Sequence, residues 1–155
     1  MNVPFLNPGA QTVALREELL AAVTGVIDRG HFILGPNVAA LEQEIAALVG
    51  TRHGIGVNSG SDALTLALKA LDLGPGDEII TTPFSFIATA EVIVLLGAKP
   101  VFVDIEPDTC NINAALIEER ITPRTRAIMP VSLYGQCADM DEINAVAAKR
   151  GGISV

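Results

Sequence analysis

The chain has 155 residues, half of them hydrophobic, and a formal net charge of −8. This length is typical of one domain with an ordinary core, and the apolar runs are too short and too interrupted to span a membrane. An acidic balance without a basic cluster argues against nucleic acid or an anionic membrane surface as a partner. The N-terminus has no basic start followed by an apolar stretch, so we expect no signal peptide and a cytoplasmic location. Cys110 and Cys137 lack metal-ligand spacing and are predicted to be free, buried thiols.

Helical and strand patterns alternate along the chain. Apolar residues at helical spacing predict helices over residues 15–27, 36–50, 62–71, 87–96, 114–121 and 140–149. Short runs rich in Val and Ile predict strands over residues 54–58, 78–82, 100–105 and 127–133. Residues 153–155 resemble the start of one more buried strand. Asp139 and Glu142 are spaced as in a capping box, which predicts the start of the last helix. The pattern indicates an α/β fold with a mostly parallel sheet flanked by helices.

The turn between the first predicted strand and its helix carries Ser59, Gly60 and Ser61. A helix N-terminus has unsatisfied N–H groups and a partial positive charge, and it is therefore suited to bind a phosphate. A tight turn with a serine cap is an equally good interpretation of these residues.

In a parallel sheet, ligands bind at the carboxyl ends of the strands. This rule brings four segments to one edge, over residues 58–61, 82–86, 104–106 and 132–136. Phe84 or Phe86 is placed to stack on a ring, beside the predicted phosphate site. A flat, phosphorylated heteroaromatic ligand suits this set. Asp104 is more simply explained as a strand-end turn cap, and His31 and His53 as ordinary loop residues.

A dinucleotide is the competing ligand, because Gly54, Gly56 and Gly60 resemble a loosened Rossmann fingerprint. The first two glycines fall inside the predicted strand. The second strand ends in Thr81 and Thr82, where an acidic residue for the ribose is expected. No Walker lysine follows Gly60, which argues against a nucleoside triphosphate.

Six motifs occur in a fixed order along the chain: FILGP at 32–36, NSGSDAL at 58–64, GPGDEII at 74–80, FSFIATAE at 84–91, GAKPVFVDI at 97–105 and PVSLYGQ at 130–136. Together they resemble the DegT/DnrJ/EryC1/StrS sugar aminotransferases. The resemblance implies the large domain of a fold-type I enzyme dependent on pyridoxal phosphate, similar to aspartate aminotransferase. It also implies a homodimer that transfers an amino group from glutamate to a nucleotide-linked keto-sugar.

The same resemblance suggests cofactor-binding residues. Gly60 and Ser61, beside Ser59, match the phosphate-binding pair, and Phe86 matches the aromatic residue stacked on the pyridine ring. Gln136 is a candidate contact to cofactor or substrate, with the equal alternative that it only ends a strand.

None of the lysines Lys69, Lys99 and Lys149 stands where the family has its Schiff-base lysine. The family's next motif, an Asp-Ala-Ala-Gln segment, would follow Val155. We therefore expect residues 1–155 to be the N-terminal portion of the cofactor-binding large domain, without the rest of that domain and the small domain, and to be inactive by themselves. Two alternatives are a non-catalytic half-domain that needs a partner and a part of a sugar dehydratase of the same family.

Overall fold

The computed structural model describes residues 5–151 and 153–155. The chain divides into two compact units, Met1–Gly56 and Val57–Val155. None of the helices in the described part of the chain is both long and apolar enough to cross a membrane.

The first unit is helical and contains α1 (Pro8–Ala14), α2 (Arg16–Arg29) and α3 (Pro36–Val49). The sequence predicts α2 and α3 but not α1, which begins where the Asn7 side chain accepts a hydrogen bond from the Ala10 amide. Gly30 and Gly50 end α2 and α3 in the left-handed conformation, with φ of 66° and 70°.

The predicted strand over residues 54–58 is wrong, because no strand forms there. The Gly56 amide, which a strand would use for pairing, donates instead to Oε1 of Glu42 at 2.7 Å. The backbone of Gly54 also packs so closely on α3 that a Cβ at this position would collide with the carbonyl oxygen of Glu42. The two glycines therefore seat this segment against a helix rather than in a sheet.

The second unit contains α4 (Gly60–Ala70), β1 (Glu78–Thr81), α5 (Ala88–Leu95), β2 (Lys99–Phe102), β3 (Thr125–Ile128) and α6 (Met140–Arg150). The three strands form a parallel sheet in the order β2-β1-β3. The mostly parallel sheet flanked by helices is confirmed.

The outer strands are shorter than the sequence predicts. β2 ends at Phe102, and beyond it the Val103 amide still donates to the Thr81 carbonyl at 2.8 Å before Ile105 pairs with Ile112 instead. Beyond β3 the Met129 amide still donates to the Ile80 carbonyl, but Pro130 has no N–H and the pairing stops there.

The core lies on both faces of β1, because neighbouring residues of a strand point to opposite sides. Ile79 packs with Val92 and Ile93 of α5 and Leu68 of α4. Ile80 packs on the other face, in a cluster that includes residues of α6. Both isoleucines are fully buried, and this double coverage explains why the run reads as continuously apolar.

The helix predicted over residues 114–121 is replaced by two short 3₁₀ turns, Ala114–Leu116 and Glu118–Arg120. The Asn113 side chain accepts from the amide only two residues ahead, at 3.0 Å, which favours the tighter winding. For α6, the Asp139 side chain accepts from the Glu142 amide at 3.1 Å, as the capping box predicts.

Where the sequence predicts the start of one more strand, Ser154 forms an isolated parallel bridge with Ala127 of β3. The Ile128 amide donates to the Ser154 carbonyl at 2.8 Å, and the Ser154 amide donates to the Arg126 carbonyl at 3.0 Å. Both cysteines are free, as expected, but Cys137 is exposed and Cys110 only half-buried. The expected burial is wrong because both cysteines lie in loop segments rather than in the core.

Candidate functional site

A cavity of about 650 Å³ opens at the carboxyl end of the sheet. Its wall is built from the start of α4, the segment after β1 and the segment after β3, and it includes Gly60, Ser61, Ser85, Phe86, Ser132 and Tyr134. The volume falls within the range of small-molecule and cofactor sites. This is the edge at which a parallel sheet places its ligands.

The start of α4 follows from its cap. Ser59 has an extended backbone (φ −155°, ψ 159°), and its hydroxyl accepts from the Asp62 amide at 3.1 Å while donating to Oδ2 of Asp62 at 2.9 Å. The serine-cap interpretation of this residue is therefore confirmed. Ser59 is not among the residues that line the cavity.

The Gly60 and Ser61 amides are the first two N–H groups of α4. No acceptor for either amide is found among residues 5–151 and 153–155. A Cβ at Gly60 would meet no atom within 4 Å, so the backbone there faces open space. Two free amides at the positive end of a helix, on the wall of a cavity, suit the phosphate group of a ligand.

Phe86 and Tyr134 are aromatic residues that line this cavity, and Phe86 is 76 % exposed. Phe84 does not line the cavity. The loop that carries both rings is tied down by the Ser85 and Thr89 hydroxyls, which lie 2.7 Å apart, and by the Phe84 amide, which donates to the Thr82 hydroxyl at 3.3 Å. An exposed ring on a fixed loop provides a platform for stacking.

Gln136 lies apart from the other predicted site residues. It lines a second cavity of about 420 Å³ that also contains Asn111 and the carboxylates of Glu106, Asp108, Asp139 and Glu142. Its carbonyl accepts from Nδ2 of Asn111 at 3.2 Å. The structure thus brings together Gly60, Ser61 and Phe86, but not Gln136.

The lysines lie elsewhere. Lys69 is near the C-terminal end of α4, Nζ of Lys99 lies 3.4 Å from Glu78, and Nζ of Lys149 lies 3.9 Å from Glu118. None of them lines the 650 Å³ cavity. His31 and His53 are exposed loop residues, as expected.

One strongly perturbed carboxyl group lies at the opposite, amino end of β1. The Thr122 hydroxyl donates to Oε2 of Glu78 at 2.6 Å, and Nη2 of Arg124 lies 2.7 Å from Oε1. The hydrogen bond from Thr122, followed by that from Arg124, lowers the pKa of Glu78 to about 2 although its burial acts in the other direction. Because Glu78 lies at the end of β1 opposite the cavity, we interpret it as a residue that stabilises the fold.

Tyr134 is a cavity residue that the sequence interpretation did not single out, although it lies in one of the four strand-end segments. The signal in the sequence is a bulky residue directly before Gly135, at a tight turn.

The structure thus combines a parallel α/β sheet with a cavity at the carboxyl edge of that sheet. The chain belongs to the DegT/DnrJ/EryC1/StrS aminotransferase family, whose sequence model matches residues 13–155. It is 49% identical over 149 residues to a UDP-2-acetamido-2-deoxy-3-oxo-D-glucuronate aminotransferase of Pseudomonas aeruginosa, covering 96% of this chain and 42% of that protein. It is 46% identical over 149 residues to a dTDP-3-amino-3,4,6-trideoxy-alpha-D-glucose transaminase of Streptomyces venezuelae.

Solved structures agree with this assignment. The crystal structure of S. venezuelae DesV superimposes with a TM-score of 0.92 at 45% identity, covering 98% of this chain and 41% of that chain. The structure of NtdA from Bacillus subtilis, which contains the bound cofactor PMP, gives a TM-score of 0.93 at 38% identity, covering 99% and 35%. The chain spans about two fifths of the length of the curated relatives that it matches.

Proposed function

We propose that this chain is the cofactor-phosphate and ring-binding part of a pyridoxal phosphate-dependent aminotransferase that acts on a nucleotide-linked keto-sugar, with glutamate as the amino donor. The observation that carries the proposal is one cavity whose lining includes Gly60, Ser61 and Phe86. Two relatives are named as aminotransferases of UDP- and dTDP-linked sugars, and NtdA is crystallised with PMP.

The residues present fit this cofactor. Its phosphate needs donors, and the Gly60 and Ser61 amides have no acceptor among the described residues. Its pyridine ring needs a flat apolar surface, which the exposed Phe86 side chain offers. Open space at the Gly60 Cα lets an anion approach the backbone.

In the proposed enzyme, these residues bind and orient the cofactor. The start of α4 holds the phosphate through fixed donors, and Ser59 keeps those donors in place by capping the helix. Phe86 would stack against the pyridine ring and limit its movement. When bound, pyridoxal phosphate supplies the electron sink that amino transfer requires.

Amino transfer also needs a lysine nucleophile. Because none of Lys69, Lys99 and Lys149 lines the cavity, we infer that the 155-residue chain binds the cofactor without turning over substrate. The whole enzyme is proposed to be a homodimer, in line with the many large apolar side chains that this chain leaves exposed.

Binding of pyridoxamine 5′-phosphate tests the proposal, because this molecule has the phosphate and the ring but no aldehyde that reacts with surface lysines. Gly60→Pro removes one amide at the first helical position, where proline is tolerated after the extended Ser59. We expect calorimetry to show that G60P weakens binding about tenfold or more, as for the loss of a hydrogen bond to a charged group.

Gly60→Ala is the matched control, since it keeps the amide and adds a Cβ where space is open. We expect it to bind more tightly than G60P, because only G60P removes a donor. Absence of binding to the unmodified chain, or equal affinity of G60P and G60A, would refute the phosphate site. Release of 2-oxoglutarate from glutamate, faster than with free pyridoxal phosphate, would refute the inferred lack of turnover.

A further inference from the structure

Tyr134 has a backbone conformation that bulky residues rarely adopt. Its φ and ψ are 54° and 21°, and φ of Gly135 is 85°. The Gln136 amide donates to the Leu133 carbonyl at 3.2 Å, so the two residues form the centre of a tight turn in which both have positive φ. Such turns favour Asn, Asp or Gly at the first central position, and Tyr is costly there.

Packing does not compensate for this cost. The Tyr134 side chain is 86% exposed, so it adds little to the core. Its hydroxyl has no hydrogen-bond partner among the described residues. It is the only tyrosine of the chain, and it lines the same cavity as Gly60, Ser61 and Phe86.

The turn is held in place from outside. Asn111 is buried, and its Nδ2 donates to the carbonyls of Gln136 and Cys137 at 3.2 and 3.0 Å. Its Oδ1 accepts from the Leu133 amide at 3.2 Å. A strained residue that its surroundings fix in this way is typical of a ligand-contacting position.

We propose that Tyr134 is a ligand-binding residue of this cavity, and that its hydroxyl donates a hydrogen bond to the anionic group of the bound phosphorylated pyridine. The inference rests on the proposed function. It adds a side-chain donor to the two backbone amides. A tyrosine that lines a cavity with free amide donors, and whose hydroxyl has no partner among the described residues, is suited to such an anion.

Tyr134→Phe tests the hydroxyl without changing the ring or the backbone. We expect Y134F to weaken pyridoxamine 5′-phosphate binding about tenfold in calorimetry, as for a lost hydrogen bond to a charged group. Because the chain has no Trp and one Tyr, its intrinsic fluorescence reports Tyr134 alone, and the ligand should quench it. Unchanged affinity of Y134F, or binding without quenching, would overturn the inference.

Tyr134→Asn separates a ligand-binding role from a structural one. Asn suits the turn, so Y134N should melt at a higher temperature than the unmodified chain while binding the ligand more weakly. A lower melting temperature would indicate that Tyr134 stabilises the fold and would contradict the proposal. Asp72→Gly is the matched control, because φ of Asp72 is 55° and the residue follows the other end of α4. It changes a positive-φ position outside the cavity and should leave the affinity unchanged.

The two proposals fail separately. If the unmodified chain binds the ligand and G60P weakens it, but Y134F does not, the phosphate site stands and the role of Tyr134 is refuted. If the unmodified chain does not bind, both are refuted.

Discussion

Replacing Glu78 by Gln removes a buried negative charge at the start of β1. Glu78 is 2% exposed and accepts from the Thr122 hydroxyl, from Arg124 and from Lys99. These contacts, with Thr122 the largest cause and Arg124 the next, lower its pKa from 4.5 to about 2. The charged form is therefore stabilised by folding, and the variant should be less stable than the unmodified chain.

The size of the effect follows from that pKa. A fall from 4.5 to about 2 sets an upper limit between about 3 and 4 kcal/mol, at about 1.36 kcal/mol for each pH unit. The Arg124 and Lys99 side chains are 63% and 69% exposed, so water screens their share. We expect E78Q to lower the free energy of unfolding by about 2 kcal/mol at neutral pH.

The lowered pKa of Glu78 also predicts how the stability difference between the two proteins changes with pH. A carboxyl whose folded pKa is depressed contributes its full stabilisation above the unfolded value of 4.5, and this is lost as the pH falls towards about 2. Urea unfolding followed by circular dichroism should show the full difference between the two proteins at pH 7. The difference should shrink steadily between about pH 4.5 and the acid limit of the folded state.

Glu119→Gln is the matched control, since Glu119 is exposed and forms no ion pair within the described part of the chain. It should change the free energy of unfolding by less than about 0.5 kcal/mol. A difference between E78Q and the unmodified chain that stays constant from pH 7 to pH 3 would show that charge is not the cause. The reasoning would then be wrong.

Three further variants test the core, a turn and the site. Ile80→Ala should lower the free energy of unfolding in urea by about 3 kcal/mol, because this side chain is fully buried. A decrease below about 1 kcal/mol would contradict the core assignment. Gly97→Ala should lower the melting temperature, since φ of Gly97 is 78° and the added Cβ would lie 3.0 Å from Cγ of Pro75. An unchanged melting temperature would contradict the expected strain. Phe86→Leu should weaken pyridoxamine 5′-phosphate binding several-fold, or by about 1 kcal/mol. Phe84→Leu is the control, because Phe84 does not line the cavity. Equal effects of the two variants would refute stacking on Phe86.

Local pattern is sufficient for much of the fold. The continuous apolar run that contains Ile79 and Ile80 predicts a strand covered on both faces, and both faces are covered. Ser59 predicts the start of α4, and Pro36 with Gly50 predicts the ends of α3. These signals succeed because capping, left-handed turns and side-chain alternation act over a few neighbouring residues.

Strand ends and strand partners are not local properties. Residues 54–58 have the composition of a strand, but a side chain fourteen residues earlier in the sequence takes the amide of Gly56. Likewise, three residues that are 21 to 46 positions from Glu78 in the sequence determine its environment. The few neighbouring residues that decide a local pattern do not include both partners of these contacts.

The site shows the same division. The sequence by itself determined the donors, because Gly60 and Ser61 lie at a capped helix start, and it offered Phe84 and Phe86 as alternative stacking rings. Only the tertiary structure decided that Phe86 lines the cavity, that Gln136 belongs to another one, and that a strained Tyr134 joins the wall. The reason is physical: capping depends on bonds within one turn of helix, whereas a cavity wall depends on how segments that are distant in sequence pack together.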